Sequence, residues 1–279
     1  MSLNFPIAFE KMNGTGNDFV VIDNRNNGIP QDQQPRFAKE ICKRMYSIGA
    51  DGLILLQHSA SADFSWNFYN ADGSEAEMCG NGARCAARFA YNHGICGKKM
   101  QFETVAGLIS AEICNDQGVV KVGMLDPQDF RMGLSLRLDD TEYPLFFVNT
   151  GVPHAVILVE REEIPVKKWG RTVRFHQLFE PKGTNATFVQ VLGDNRIRSR
   201  SYERGVEDET QACGTGAVAS ALFAAIFKGM QQPVEVITSG GDTLTISFDL
   251  EDGPRARNVY LQGPTRIVCR GEILPEALL

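Results

Sequence analysis

A short cysteine motif occurs twice, and its spacing limits what this chain can fold into more than any other feature. Cys79-Gly80-Asn81-Gly82 precedes a small-residue run from Ala83 to Tyr91, and Cys213-Gly214-Thr215-Gly216 precedes a second run from Ala217 to Phe227. The two cysteines stand 134 residues apart in a chain of 279. Two weaker matches keep the order and nearly the same offset. Thr15-Gly16-Asn17-Asp18-Phe19 resembles Thr150-Gly151-Val152-Pro153-His154, and Gly49-Ala50-Asp51-Gly52 resembles Gly183-Thr184-Asn185-Ala186. Three matches in register point to a duplicated unit, and a period this long means two homologous domains.

Each motif sits where a strand gives way to a helix. Phe64, Trp66 and Phe68 alternate with polar residues, the pattern of a strand with one buried face. Ala217 to Phe227 is apolar all round, which marks a helix buried on every side. Further helices are expected at 35–46, from Phe37, Ile41 and Met45, and at 171–179. Strands outnumber helices in both halves. The expected fold is α+β, with two pseudo-symmetric domains, each a curved mixed sheet or barrel around a central helix. The boundaries are read as 1–125 plus 265–279, carrying Cys79, and 126–264, carrying Cys213. Leu125-Asp126-Pro127-Gln128 is the crossing, and the last strand, 266–270, returns to the first domain. If the halves face each other, the two cysteine-bearing helix mouths meet in one cleft.

Composition removes several functions. A net charge of −6 gives no basic footprint for nucleic acid. The N-terminus shows no basic region followed by an apolar one, and the longest apolar run, 11 residues, is too short to span a bilayer. The seven cysteines are odd in number and form no Cys-x-x-Cys pair, so free thiols in a reducing cytosol are expected, without a zinc site. Gly14-x-Gly16 lacks the third glycine opening a helix, which argues against a dinucleotide.

A thiol at a helix N-terminus meets unpaired amides and the positive end of the helix dipole, which together favour a thiolate and hold an anion. Two such thiols suit inversion of a carbon stereocentre: one removes a proton from one face, the other returns a proton to the opposite face. Amides of Gly80, Asn81, Gly214 and Thr215 would hold a carboxylate and its developing charge. Such a site needs no pyridoxal phosphate, metal or nucleotide. A cysteine hydrolase with His154 as base would leave the second motif unexplained, and an amino-acid-binding protein would keep the anion cradle without needing thiols.

The stretch from Asn70-Ala71-Asp72-Gly73-Ser74-Glu75 through Cys79 to Cys85 resembles the diaminopimelate epimerase family. So do the opening Asn13-Gly14-Thr15-Gly16-Asn17-Asp18-Phe19, the Glu203-Arg204-Gly205 turn and Cys213-Gly214-Thr215-Gly216-Ala217. The resemblance covers essentially the whole chain. It implies a cofactor-free cytosolic enzyme, a homodimer by family habit, that interconverts LL- and meso-diaminopimelate for lysine and peptidoglycan precursors. It also implies Cys79 and Cys213 as the acid–base pair, with His154 and Glu203 as accessory residues. Asn13, Asn70, Asn185, Glu203 and Arg204 would read the distal end of the substrate. Two positions depart from the family pattern, Gly52 where many members have Gln and Val152 where many have Asn. A proline-type racemase shares the two-cysteine logic but usually carries His where Asn81 stands.

Overall fold

The computed structural model describes residues 3–161, 163–251, 253 and 255–278. Met1 and Ser2, part of the N-terminus read above, lie outside the described residues. The chain divides into two compact units, Met1–Val122 with Gly263–Leu279, and Gly123–Gln262.

The first unit opens with the hairpin β1 (Ile7–Gly14) and β2 (Asn17–Asp23). Helix α1 (Gln34–Ile41) then crosses to β3 (Gly52–Gln57), which lies parallel to β2. Strand β4 (Phe64–Asn70) runs antiparallel to β3. Helix α2 (Gly80–Asn92) crosses to β5 (Lys99–Thr104), parallel to β4, and β6 (Gly107–Ile113) and β7 (Val119–Gly123) follow as antiparallel neighbours. The sheet curls around α2, which packs on β1, β2, β3 and β6. Small residues make that possible. Ala83, Cys85, Ala86, Ala87 and Ala90 are buried, and so is Arg84. A second apolar layer, with Phe37, Ala38 and Ile41 of α1 against Val20, Leu53 and Leu55, covers the other face of the sheet.

The second unit repeats this order. Strand β8 (Gln128–Leu138) pairs antiparallel with β9 (Thr141–Asn149), and β9 with β10 (Pro153–Leu158). Helix α3 (Val166–Arg174) crosses to β11 (Asn185–Gly193), parallel to β10, and β12 (Arg196–Tyr202) returns antiparallel. Helix α4 (Gly214–Lys228) crosses to β13 (Val234–Ile237), parallel to β12, and β14 (Thr243–Glu251) and β15 (Arg255–Pro264) close the series. Six strands, β9 to β14, pack on α4, so the helix is apolar on all sides because sheet surrounds it. The final strand, β16 (Arg266–Ile273), pairs antiparallel with β1, in the place that β8 takes beside β9. The loops before the two motifs also correspond: Tyr69 bridges Glu75 as Tyr202 bridges Glu209.

Two local expectations change. The helix expected at 35–46 ends at Ile41, and Met45 stands fully exposed with φ 70°. Its place in the i, i+4, i+8 series was coincidence, because the chain turns away once the Cys42 amide has bonded Ala38. The helix expected at 171–179 runs Val166–Arg174 instead, and a separate 3-10 turn covers Gln177–Phe179. Its true stripe is Val166, Trp169, Gly170 and Val173, whose burial fixes the start just after Pro165. Strand β8 follows directly on the expected crossing. It is mostly exposed, so it carries little alternating apolar signal.

Gly170 shows which of two opposed effects wins. Alanine there would gain roughly 1 kcal/mol of helix propensity. Its Cβ, however, would fall 2.3 Å from Cβ of the buried Tyr202. Overpacking of this kind costs about 1–3 kcal/mol. Gly170→Ala is therefore expected to lower the urea midpoint of unfolding; a raised midpoint would show that β12 yields easily.

Candidate active site

The two motif cysteines are the N-caps of the central helices. Cys79 precedes α2 with φ −145° and ψ 117°, and Cys213 precedes α4 with φ −110° and ψ 109°. Neither side chain bonds an amide in the cap geometry. The first carbonyl–amide bonds run from Ala83 N–H to Cys79 and from Ala217 N–H to Cys213. The amides of residues 80–82 and 214–216 thus have no acceptor within their helices. Close packing seats both mouths. A Cβ on Gly14 would lie 2.8 Å from the Asn81 carbonyl, and one on Gly216 would lie 2.6 Å from Ser201 Oγ.

In the first unit the Cys79 sulfur donates to Asn17 Oδ1 at 3.5 Å. Asn17 Nδ2 donates to Asp51 at 2.6 Å, which fixes the amide with its oxygen toward the sulfur. Asp51 is itself gripped by Arg44, which also holds Asp18. Asn17 was not singled out from the sequence, although the turn it occupies was. The Asn81 side chain turns inward: its Oδ1 accepts from Thr15 Oγ1 at 3.1 Å and from Arg84 Nη2 at 3.0 Å. The fully buried Arg84 guanidinium also bonds the Gly80 carbonyl, tying the first turn together. Asn13 accepts from the Gly16 amide and the exposed Asn70 donates to Ser74, so both order their own turns. Gly52 leaves no room for a longer residue, since a Cβ there would meet Phe68 and the Tyr69 carbonyl at 2.7 Å.

In the second unit the expected residues join in a closed ring. The Arg204 amide donates to Asn185 Oδ1 at 2.7 Å, and Asn185 Nδ2 lies 3.3 Å from His154 Nε2. His154 Nε2 lies 2.9 Å from Thr215 Oγ1, which lies 3.4 Å from Cys213 Sγ. The Cys213 thiol and the Glu203 carboxylate are hydrogen-bonded, and Glu203 is next to Arg204. Glu203 also accepts from the Thr210 hydroxyl. Behind the ring, His154 Nδ1 lies 2.9 Å from Thr187 Oγ1, and Thr150 Oγ1 donates to the Thr215 carbonyl at 2.9 Å. The repeat explains the position of His154. It opens β10 opposite Asn185 of β11, as Phe19 of β2 stands opposite Gly52 of β3.

Burial dominates the electrostatics of this ring. Desolvation, joined by the nearby Glu203 charge, pushes the Cys213 thiol well above its usual range, against the opposing pull of Thr215 and the Gly216 amide. Burial also raises Glu203, against bonds from Thr210 and Cys213. Burial thus works against ionisation of both groups, and a charge on Glu203 works further against one on the sulfur. His154 is brought down to about 3 by burial and then by the Arg204 charge, so its imidazole is neutral.

The acidic run Glu207-Asp208-Glu209 is tied down by basic partners. Glu207 pairs with Arg174 and Asp208 with Lys167. Glu209 takes a two-point grip from Arg200 and a bond from Ser239. These contacts anchor the turn that carries Glu203. Among the described residues no group of three or more His, Cys, Asp or Glu could hold a metal ion, and no helix is long and apolar enough to cross a membrane.

Comparisons with known proteins extend over the whole chain. A family model described as diaminopimelate epimerase matches residues 9–128 and 146–268. The diaminopimelate epimerase of Aquifex aeolicus is 46% identical over 98% of this chain and 99% of its own. That of Hydrogenobaculum is 43% identical over 94% of this chain and 96% of its own. A Bacillus anthracis phenazine biosynthesis protein of the PhzF family superposes with a TM-score of 0.75 at 16% identity, covering 97% of this chain and all of the other. A hydroxyproline epimerase from Agrobacterium vitis gives 0.69 at 15%, covering 99% and 94%. At such identities the structural likeness concerns the fold alone.

The neutral His154 has a consequence for pH. Its folded pKa lies below the unfolded value of about 6.5, so the unfolded chain binds more protons between them, and stability falls as pH drops through that window. From pH 6.5 to 5 this amounts to about 2 kcal/mol. Urea unfolding at both pH values is expected to show that loss in the wild type and much less in His154→Gln. Glu203 contributes equally to both proteins, so the difference isolates the histidine. Equal slopes would contradict a buried neutral imidazole.

Proposed function

The chain belongs to the diaminopimelate epimerase family and epimerises diaminopimelate, and we propose that it does so with Cys79 and Cys213 as two acid–base groups serving opposite faces of the α-carbon. The observation that carries this reading is that each unit places a cysteine as the N-cap of its central helix. An α-hydrogen beside a carboxylate is a very weak acid. Its removal becomes feasible when the carboxylate, which takes up the charge, lies against amides preorganised to receive it. Gly80, Asn81, Gly214 and Thr215 supply amides of that kind, and Asn81 does so through its backbone while its side chain braces the helix.

For the LL isomer, Glu203 takes the Cys213 proton and becomes a neutral acid. The thiolate removes the α-hydrogen, and Cys79 gives its own proton to the opposite face. The enzyme is then left with Cys213 as thiol and Cys79 as thiolate. Proton exchange with water, from Glu203 and to Cys79, restores the starting state. Raising Glu203 by burial brings its proton affinity nearer that of a thiol, which makes it a usable relay. His154 supports this site as a neutral hydrogen-bonding group. Arg204 and Asn185 offer a cation and an amide for the distal amino-acid end, and Asn13 and Asn70 offer polar groups from the first unit. Val152 has no side-chain hydrogen bond to give there.

A proline-type racemase is not favoured. The relatives that match along the chain are diaminopimelate epimerases, whereas the hydroxyproline epimerase shares only the fold. We extend the reading to a cytosolic homodimer with a small amino-acid substrate. In its favour, β16 is the outer strand of its unit and Val268 on it is 62% exposed.

Single variants test the two bases. Cys79→Ser and Cys213→Ser are each expected to cut epimerisation about 100- to 10,000-fold, because a hydroxyl is hardly ionised at neutral pH. Elimination from an analogue with a β-leaving group needs only one base. Each variant should retain it for one α-configuration, and the two variants should prefer opposite ones. Elimination from the same stereoisomer by both would sink the two-base reading.

A further inference from the structure

The second thiol is backed by a hydroxyl whose single hydrogen has two possible acceptors. Asn185 sets the direction of these hydrogen bonds. Its Oδ1 accepts from the Arg204 amide at 2.7 Å, which fixes the side-chain amide and turns Nδ2 toward His154 Nε2. An amide nitrogen only donates, so Nε2 carries the lone pair. The ring proton is then on Nδ1 and goes to Thr187 Oγ1 at 2.9 Å. Having accepted there, the Thr187 hydroxyl passes its own hydrogen to Ser201 Oγ at 3.2 Å. His154, Thr187 and Ser201 are all buried, so this direction is locked by protein groups.

Nε2 therefore accepts from Thr215, whose Oγ1 lies 2.9 Å away. The same oxygen is 3.4 Å from Cys213 Sγ. While the sulfur keeps its proton, that proton goes to Glu203, and Thr215 donates to His154. Once the sulfur is a thiolate it needs donors, and a hydrogen bond to an ion is about twice as strong as one between neutral groups. Rotation of one hydroxyl supplies it. His154 is not stranded, because Asn185 continues to donate to Nε2. The titratable groups facing Cys213 are Glu203, from the turn after β12, and His154, from β10, with the charge of Arg204 beside them.

We propose that the Thr215 side chain is a positioning residue, a two-position donor that pairs with His154 beside the thiol and turns to the Cys213 sulfur when it ionises. This rests on the reading of Cys213 as an acid–base group, and it assigns the hydroxyl a task separate from carboxylate binding by the Thr215 amide.

The test reads the sulfur itself. Alkylation by iodoacetamide at pH 8, resolved by peptide mass spectrometry, gives the rates of Cys213 and Cys79 in one protein. Thr215→Val removes the donor at nearly constant shape and is expected to slow Cys213 by about tenfold or more, the worth of a hydrogen bond to a charged group. Thr215→Ser should restore the rate to within about twofold, in line with keeping that bond. Cys79 should keep its rate throughout, which reports that the fold is intact; if the valine variant fails that check, Thr215→Ala replaces it. A Cys213 rate in the hydroxyl-free variant within twofold of wild type, or a serine variant as slow as valine, overturns the proposal. Turnover plays no part in this readout. Failure of the two-base mechanism would appear in the elimination stereochemistry and leave the alkylation result standing.

Discussion

A helix wrapped by its own sheet can leave its first amides unsatisfied only where the sheet opens, at the helix tip. That constraint shapes both units. The surrounding strands leave room mainly for small side chains along α2 and α4, hence their alanines and the glycines after each cysteine. Residues at the tip must not close the amides off, and in both units the N-cap is a cysteine, a weak hydrogen-bond acceptor. An N-cap Ser, Thr, Asp or Asn would stabilise the helix by about 1 kcal/mol. That gain is forgone, and the amides stay open to a ligand. The buried Arg84 offsets part of the cost in the first unit by tying Gly80, Asn81 and Thr15 together.

The duplicated units have kept their architecture and diverged in chemistry. Where one has Phe19, the other has His154; where one has Asn17, the other has Val152. Cys79 consequently faces a fixed amide oxygen, while Cys213 sits in a ring with a carboxylate, a hydroxyl and an imidazole. The environment of Cys213 stabilises its protonated state, with the Glu203 carboxyl beside it. On the proposed mechanism an epimerase of unequal substrate isomers can use such an asymmetry, because the proton would enter and leave in different surroundings.

The larger architecture was legible because it repeats. The 134-residue offset marked both helix mouths, and the span of the repeat left the last strand over, to be paired with β1. Burial of α4 as far as Ala225 followed from its apolar run, whereas Phe227 at the end of that run is exposed. Details set by contacts remote in sequence were not legible. Met45 matched a helical period with no partner to bury it, whereas α3 began earlier because Val166 and Trp169 had one. Nothing local says that Asn81 turns inward to Arg84, that Asn17 reaches the Cys79 sulfur, or that Glu209 grips Arg200. Thr187 reads as one more strand residue until its strand is laid parallel to β10.

The central claim is that two separate groups handle the α-proton, one taking it and another replacing it. Incubation of LL-diaminopimelate in deuterated water, stopped at low conversion, tests this most directly. The account predicts deuterium at the inverted carbon of the meso product and almost none in the recovered LL substrate. Product that keeps its original hydrogen, or recovered substrate that gains deuterium as fast as product forms, would contradict it, since either outcome means that one group serves both faces.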